Sequence, residues 1–413
     1  MGRALPLCAL VVGCYSPHAD IGQPCSPSLA CPSDQRCDTT QSPPTCVALG
    51  AGSAIDDAAA AIDSPLVQLD ATVGFGPGSL IIPMGSGFQD HGQLRAFGLV
   101  AALLRGGVAV DWIVRPDKAA GSADLELGSD VAISDVESGN ALAAPIDYTA
   151  GPFVIDASER AAALPIVTAW LAGDTVTSVH DVTTGTVVAP IARHLSRAPA
   201  VAVFGDANDS VAFGYLNAAG IPDSTGAAWG SASPDVLTEA AVGSGALTGS
   251  PYCAFVSMHY GPATSVTPAV AGQLQAWLAD ASHGAVLECL STATLENAGH
   301  FVTTAGVTAD SGSAAAPVSF ATVADPHLQI DNTFTPSTGA VGALTLPAGS
   351  QLLPDARVLV TSATGSIVVA TGLSGRLTFL GGHQYSTALP LSTNPATVGT
   401  RLFLDSLFAS GCP

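Results

Sequence analysis

Positive charge is scarce in this sequence. Lysine and arginine together number 12 in 413 residues, against 33 aspartates and glutamates, and Lys118 is the only lysine. A formal charge of −21 repels phosphate backbones, which excludes nucleic acid as a partner. Long apolar runs are missing as well. No stretch reaches the roughly 18 residues of a spanning helix, so any membrane attachment must come from another device. Nucleotide signatures are absent. The loop Met84–His91 has neither the Gly-x-Gly-x-x-Gly order nor a Lys-Ser/Thr ending. No cofactor is expected, and no metal. The acidic stretch 116–150 lacks calcium-ligand spacing and reads as a solvated excursion.

What is present is apolar. Hydrophobic residues make up 48% of the chain, enough for a sizeable core, and the length allows two domains or one large domain with appendages.

The first 13 residues read as an export signal. Arg3 is a minimal basic region, and ALPLCALVVG is a short apolar core. Val11-Val12-Gly13-Cys14 resembles a bacterial lipobox, which makes Cys14 the expected lipidation site. That resemblance implies a lipoprotein at the bacterial outer membrane or cell surface. A plain cleaved signal would instead release the protein. Residues 14–47 then form a small module with Cys25, Cys31, Cys37 and Cys46. So short a piece cannot bury a core, and two disulfides in an oxidising compartment would staple it. Their pairing is open. Zinc is the weaker reading, because no Cys-x-x-Cys pair occurs. Residues 48–75 are rich in Ala, Gly, Ser and Asp and read as a flexible linker.

The main domain, 76–413, opens with the strand Leu80–Ile82, a Gly-rich loop, a helix from about Leu94 to Leu104, and the strand Val108–Val114. That unit predicts an α/β domain built on a doubly wound, mostly parallel sheet. Helices are expected over 157–172 and 211–219. Buried strands are expected over 199–205, 252–260 and 284–288. Thr267 and Pro268 open a helix between the last two, which predicts parallel neighbours joined by a right-handed crossover. A β-meander is expected over 357–362, 367–371 and 376–380. A final helix is expected over 395–409.

The chemistry-bearing residues stand at strand ends. These ends give Gln89, Asp90 and His91; Asp206 and Asn208; His259; Glu288 and Cys289; and His383 after Gly381-Gly382. In an open α/β sheet, ligands bind beyond the carboxyl ends of the strands. Cys289 follows the apolar run GAVLE and opens a helix, where its thiol pKa is expected to fall. The leading reading is a structural or disulfide-paired thiol; a nucleophile and a ligand contact are the alternatives. Pairing with Cys253 is disfavoured, because an in-register parallel pair leaves the two roughly 15–20 Å apart. Cys412 remains an open partner for either.

At these residues the chain resembles the class I glutamine amidotransferase-like superfamily, over roughly 76–413. The resemblance implies a flavodoxin-like sheet, Cys289 as nucleophile and His383 as base, with Glu288 grouped beside them as catalytic. Gln89, Asp90, Asp206, Asn208 and His259 are then binding residues. The pattern departs from the family in two places. Leu287 and Ser291 stand where the elbow has glycines, and Tyr385 stands where an acid follows the histidine. The broken triad favours an envelope protein that binds a small molecule or surface partner without catalysis. The alternative is a cysteine-dependent hydrolase of amide or ester bonds.

Overall fold

The computed structural model describes residues 72–205, 208–312, 314, 316–331, 334–337, 339–410 and 412, and the backbone of 35–38 and 45–48. The chain falls into two compact units, Met1–Ala61 and Ile62–Pro413. In the first, Gln35–Asp38 and Thr45–Ala48 pair antiparallel, with Cys37 opposite Cys46. The expected signal, Cys14, Cys25, Cys31 and most of the expected linker lie outside the described residues. The linker ends earlier than expected, because Thr72–Phe75 is already a strand of the main unit. Among the described residues, no helix is long and apolar enough to cross a membrane.

The main unit is mixed α/β, and its strands form two large sheets. The first sheet holds β1 (Leu80–Ile82). The helix α1 (Gln93–Arg105) leads from it to β2 (Val110–Ile113). These two strands are not neighbours, because β3 (Phe153–Ile155) lies between them, antiparallel to both. Five further strands extend this sheet to eight, in the order Thr72–Phe75, Val187–Leu195, β2, β3, β1, His180–Thr184, Ala132–Asp135, Ala141–Leu142. All its pairings are antiparallel. The expected single parallel sheet is therefore corrected here: the opening strand–helix–strand unit belongs to a separate antiparallel layer.

The acidic stretch 116–150 is corrected too. It carries four short strands, two of which, Leu125–Leu127 and Ile146–Tyr148, bury alternate residues on the outer face of this sheet. Its Asp124 is buried and holds Lys118 at 2.8 Å, so the one lysine is taken up inside the protein.

The helix α2 (Arg160–Gly173) follows, and the strands His180–Thr184 and Val187–Leu195 complete the first sheet. The second sheet then begins with β4 (Val201–Gly205), followed by α3 (Asp209–Ala219). Next come β5 (Ala254–Ser257), α4 (Thr267–Leu278), β6 (Gly284–Glu288) and α5 (Leu290–Gly299). The sheet ends with β7 (Ile367–Gly372) and β8 (Leu377–Leu380), and α6 (Val398–Ser410) follows. Its order is Val236–Thr238, β4, β5, β6, β8, β7, Ala343–Thr345, Thr308–Asp310, with Arg357–Thr361 also on β7 and Ser319–Phe320 beyond it. From Val236 to β8 every pairing is parallel, and from β8 onward every pairing is antiparallel. The β5, β6 and β8 segments are buried throughout, which is why they read as continuous apolar runs rather than alternating ones.

Between the two sheets lie α1, α3 and α6, whose side chains share one core with both. The opposite face of the second sheet is covered by α4 and α5. Every residue of α6 is buried, including Arg401, which reaches Met84 O, Gln93 Oε1 and Ala150 O from the first sheet's segments and Asp405 Oδ1 on its own helix. The end of α6 is fixed twice. Gly284 opens β6 against it, and a Cβ there would meet Ser410 O at 2.0 Å. Cys412 forms a disulfide with Cys253, with Cα atoms 5.2 Å apart. Cys289 is a free thiol.

Candidate functional site

Three adjacent parallel strands deliver three side chains to one place. Ser257 on β5 pairs with Leu287 on β6, so two residues further along each strand brings His259 level with Cys289. Glu288 pairs with Leu380 on β8, and the chain leaves that strand through Gly381-Gly382 into His383. One ligand atom from each of Cys289, His259 and His383 lies within 4.8 Å of the others. His259 Nδ1 is 3.2 Å from Cys289 Sγ. The two imidazoles meet edge to face, with centroids 4.6 Å apart.

Cys289 occupies the junction between β6 and α5 with φ 52° and ψ −128°. This is a left-handed conformation that side chains rarely adopt, and it makes a sharp strand-to-helix elbow. The elbow is tied down on two sides. The Cys289 N–H donates to Leu380 O at 3.1 Å. Ser291, the next residue but one, bonds Ser257 Oγ at 2.7 Å and accepts the Tyr260 N–H at 2.6 Å. Ser291 thereby fixes the segment that carries His259. A glycine at this position could make neither bond.

The Gly-Gly-His turn is built as tightly. Gly382 has φ 108°, and a Cβ there would run into Tyr385 Oη and Ser337 Oγ. Ser337 Oγ accepts the His383 N–H at 2.8 Å. Tyr385 is buried; its hydroxyl donates to Gly381 O, and its N–H donates to Tyr215 Oη at 2.7 Å. Tyr215 in turn donates to Glu288 Oε1 at 3.2 Å. Tyr385 therefore braces the turn and links it to Glu288.

Glu288 and Cys289 point to opposite faces of the sheet, as strand alternation requires. Glu288 is fully buried on the α3 side, and Cys289 on the α4–α5 side. Burial pushes the Cys289 thiol pKa up, and the Glu288 carboxyl adds to the rise. The backbone N–H groups of Val341, Leu290 and Ala340 near the sulfur oppose that rise. The expected fall in thiol pKa is therefore corrected: the Leu290 amide at the helix start acts in the expected direction, but desolvation outweighs it. His259 Nδ1 is the imidazole nitrogen in contact with that thiol. The sulfur is covered, at 0% exposure, whereas His259 and His383 are partly exposed.

The other expected site residues fall elsewhere. Gln89 is buried in the short helix Ser86–Gln89, where its amide clamps Ser178 through both N–H and C=O. Asp90 follows it and binds the Ser392 N–H at 2.7 Å, and the Ser392 hydroxyl as well. Both leave β1 in the first sheet and act as tethers there. Asn208 takes the N-cap position of α3 beyond β4. Asp206 lies outside the described residues. Sequence reasoning passed over Ser257 and Ser337 and met Ser291 only as a departure from the elbow glycine, since a lone serine carries no pattern.

No family model matches the sequence, and no curated protein matches it. A solved structure that matches is that of a GMP synthase subunit from Thermoplasma acidophilum. The TM-score is 0.33 at 10% identity, over 51% of this chain and 92% of that one. A likeness of that strength carries no argument about activity.

Proposed function

We propose that the chain is a cysteine-dependent hydrolase of amide or ester bonds, exported and held at the bacterial envelope through a lipid on Cys14. It carries an amidotransferase-like α/β domain with Cys289 as nucleophile. The base is His259 rather than His383, because His259 is the imidazole in contact with the sulfur. One observation carries this reading: a strained strand-to-helix elbow presents Sγ at 3.2 Å from His259 Nδ1.

The chemistry follows from those contacts. Sγ attacks the acyl carbon, a C–S bond forms, and the thiol proton passes to His259 Nδ1. The amide or ester bond then breaks, and the amine or alcohol leaves with that proton. Water attacks the thioester with His259 again accepting a proton, which returns to sulfur as the carboxylic acid departs. The Val341 and Ala340 backbone amides, near enough to the sulfur to lower its pKa, are the candidate donors to an oxyanion formed beside it. His383, packed edge to face on His259, orients the base.

A binding-only reading is favoured by one observation, the complete cover over Cys289. Turnover separates the two. A panel of small acyl esters and amides is expected to be hydrolysed by the wild type. Cys289→Ser is expected to lower kcat/KM by at least about a thousandfold, and His259→Ala by about 10²–10⁴-fold. Equal rates in wild type and Cys289→Ser leave the binding-only reading standing.

A further inference from the structure

We infer that Cys289, His259 and His383 form a site for one zinc-class divalent cation, with a fourth coordination position left open. This site goes beyond the hydrolase reading and does not rest on it. The two use the same sulfur, so a bound ion silences the nucleophile, and each can fail alone.

The geometry is close to that of a loaded site. Zinc holds thiolate at about 2.3 Å and imidazole at about 2.0–2.1 Å, so two ligand atoms of a tetrahedral ion stand about 3.3–3.6 Å apart. Sγ and His259 Nδ1 are at 3.2 Å, and all three ligand atoms fall within 4.8 Å. That upper bound stands little above the spacing of a loaded site, so side-chain adjustment alone can close it. The Nδ1 of His383 is buried and has no hydrogen-bond partner among the described residues. Buried imidazole nitrogens are normally satisfied, and a cation would satisfy this one.

The scaffold is fixed in advance. The ligands leave three adjacent parallel strands. Ser291 holds the Tyr260 N–H beside His259, and Ser337 holds the N–H of His383 itself. Rigid backbone around a ligand set is what a preformed metal site requires.

The donor set selects the ion. One thiolate and two imidazoles exclude calcium and magnesium, which take oxygen, and suit zinc or copper. Three protein ligands without a fourth give the open arrangement of a reactive zinc rather than a closed structural one. Both imidazoles are partly exposed, which leaves a path for the ion and for a fourth ligand. Local spacing could not announce the site, because its ligands come from three distant segments of the chain.

Cobalt(II) is the probe. Full-length protein is stripped with a chelator, kept reduced at Cys289 with a phosphine, and titrated with Co²⁺. The expected result is a near-ultraviolet sulfur-to-cobalt charge-transfer band with visible bands of tetrahedral intensity. These should saturate at one equivalent and be displaced by Zn²⁺. In Cys289→Ser the charge-transfer band should vanish, and in His383→Gln affinity should fall at least about tenfold. The His383 variant serves as the second arm if the serine variant does not fold. A missing band in the wild type overturns the inference, as does a band that survives in Cys289→Ser or binding of copper(I) with refusal of Co²⁺. Turnover of the stripped protein on the ester panel is read separately. Its absence sinks the hydrolase reading and leaves the metal site intact.

Discussion

Cys289 holds its position at a cost in backbone energy. A side chain at φ 52° and ψ −128° costs about 1–3 kcal/mol and persists only where the surroundings over-determine it. Glycine adopts such angles without penalty. Cys289→Gly is therefore expected to unfold at higher urea than Cys289→Ala, by about 1 kcal/mol. Both variants lose the same thiol, and glycine loses more backbone entropy on folding, so a higher midpoint for glycine shows strain that exceeds that loss; a midpoint lower than alanine's by about 1 kcal/mol would show none. At this scale the sequence was informative in part. The apolar run ending at Cys289 announced a strand meeting a helix, and the pair Gly381-Gly382 announced a tight turn before His383. The partnership of Cys289 with His259 was not legible. The crossover predicts β5 beside β6, and the structure has that pair in register, but the alternation of side chains past the strand ends, which decides whether His259 or His383 meets the sulfur, is not written locally. The roles of Ser291 and Ser337 were hidden for the same reason.

Elements of the second sheet were easier to foresee than those of the first. The strands β4, β5, β6 and β8 are buried on both faces, and their unbroken apolar runs bound them to within two or three residues. The short strands between residues 125 and 148 are two to four residues long, too short for a period to show. The three-residue strand Phe153–Ile155, equally short, inserts between β1 and β2 and makes the opening unit part of an antiparallel layer that the sequence pattern does not signal. The disulfide was half legible. The register of β5 with β6 carries Cys253 far from Cys289, as the spacing required, and Cys412 past the end of α6 takes it. That bond closes a loop of 159 residues between the start of β5 and the last helix. Cys253→Ala with Cys412→Ala is expected to lower stability by about 2–5 kcal/mol, read from urea midpoints. No change would mean that Gly284 and the core under α6 hold the helix end by themselves.

The molecule as a whole is a frame for one set of strand ends. The first sheet and the α1–α3–α6 layer brace the second sheet from one side, and α4 and α5 brace it from the other. The buried Arg401 ties α6 to the first sheet's segments, so the two sheets are locked through a helix that leaves no residue exposed. What the frame positions is the row His259, Cys289, His383 beyond β5, β6 and β8. The rim was foreseeable from the order of strands and helices. Its membership was not: Gln89 and Asp90 end on the other sheet as tethers, while His259 moves from the edge of the site to its centre.

Capture of the acyl intermediate tests that centre most directly. Wild-type protein is mixed with a small activated ester and examined by intact-mass and peptide mass spectrometry during the first turnover. The account predicts one acyl group per chain, on Cys289 alone, with formation slowed at least about a hundredfold in His259→Ala. Acylation of another residue, or acyl-Cys289 forming equally fast without His259, would contradict it.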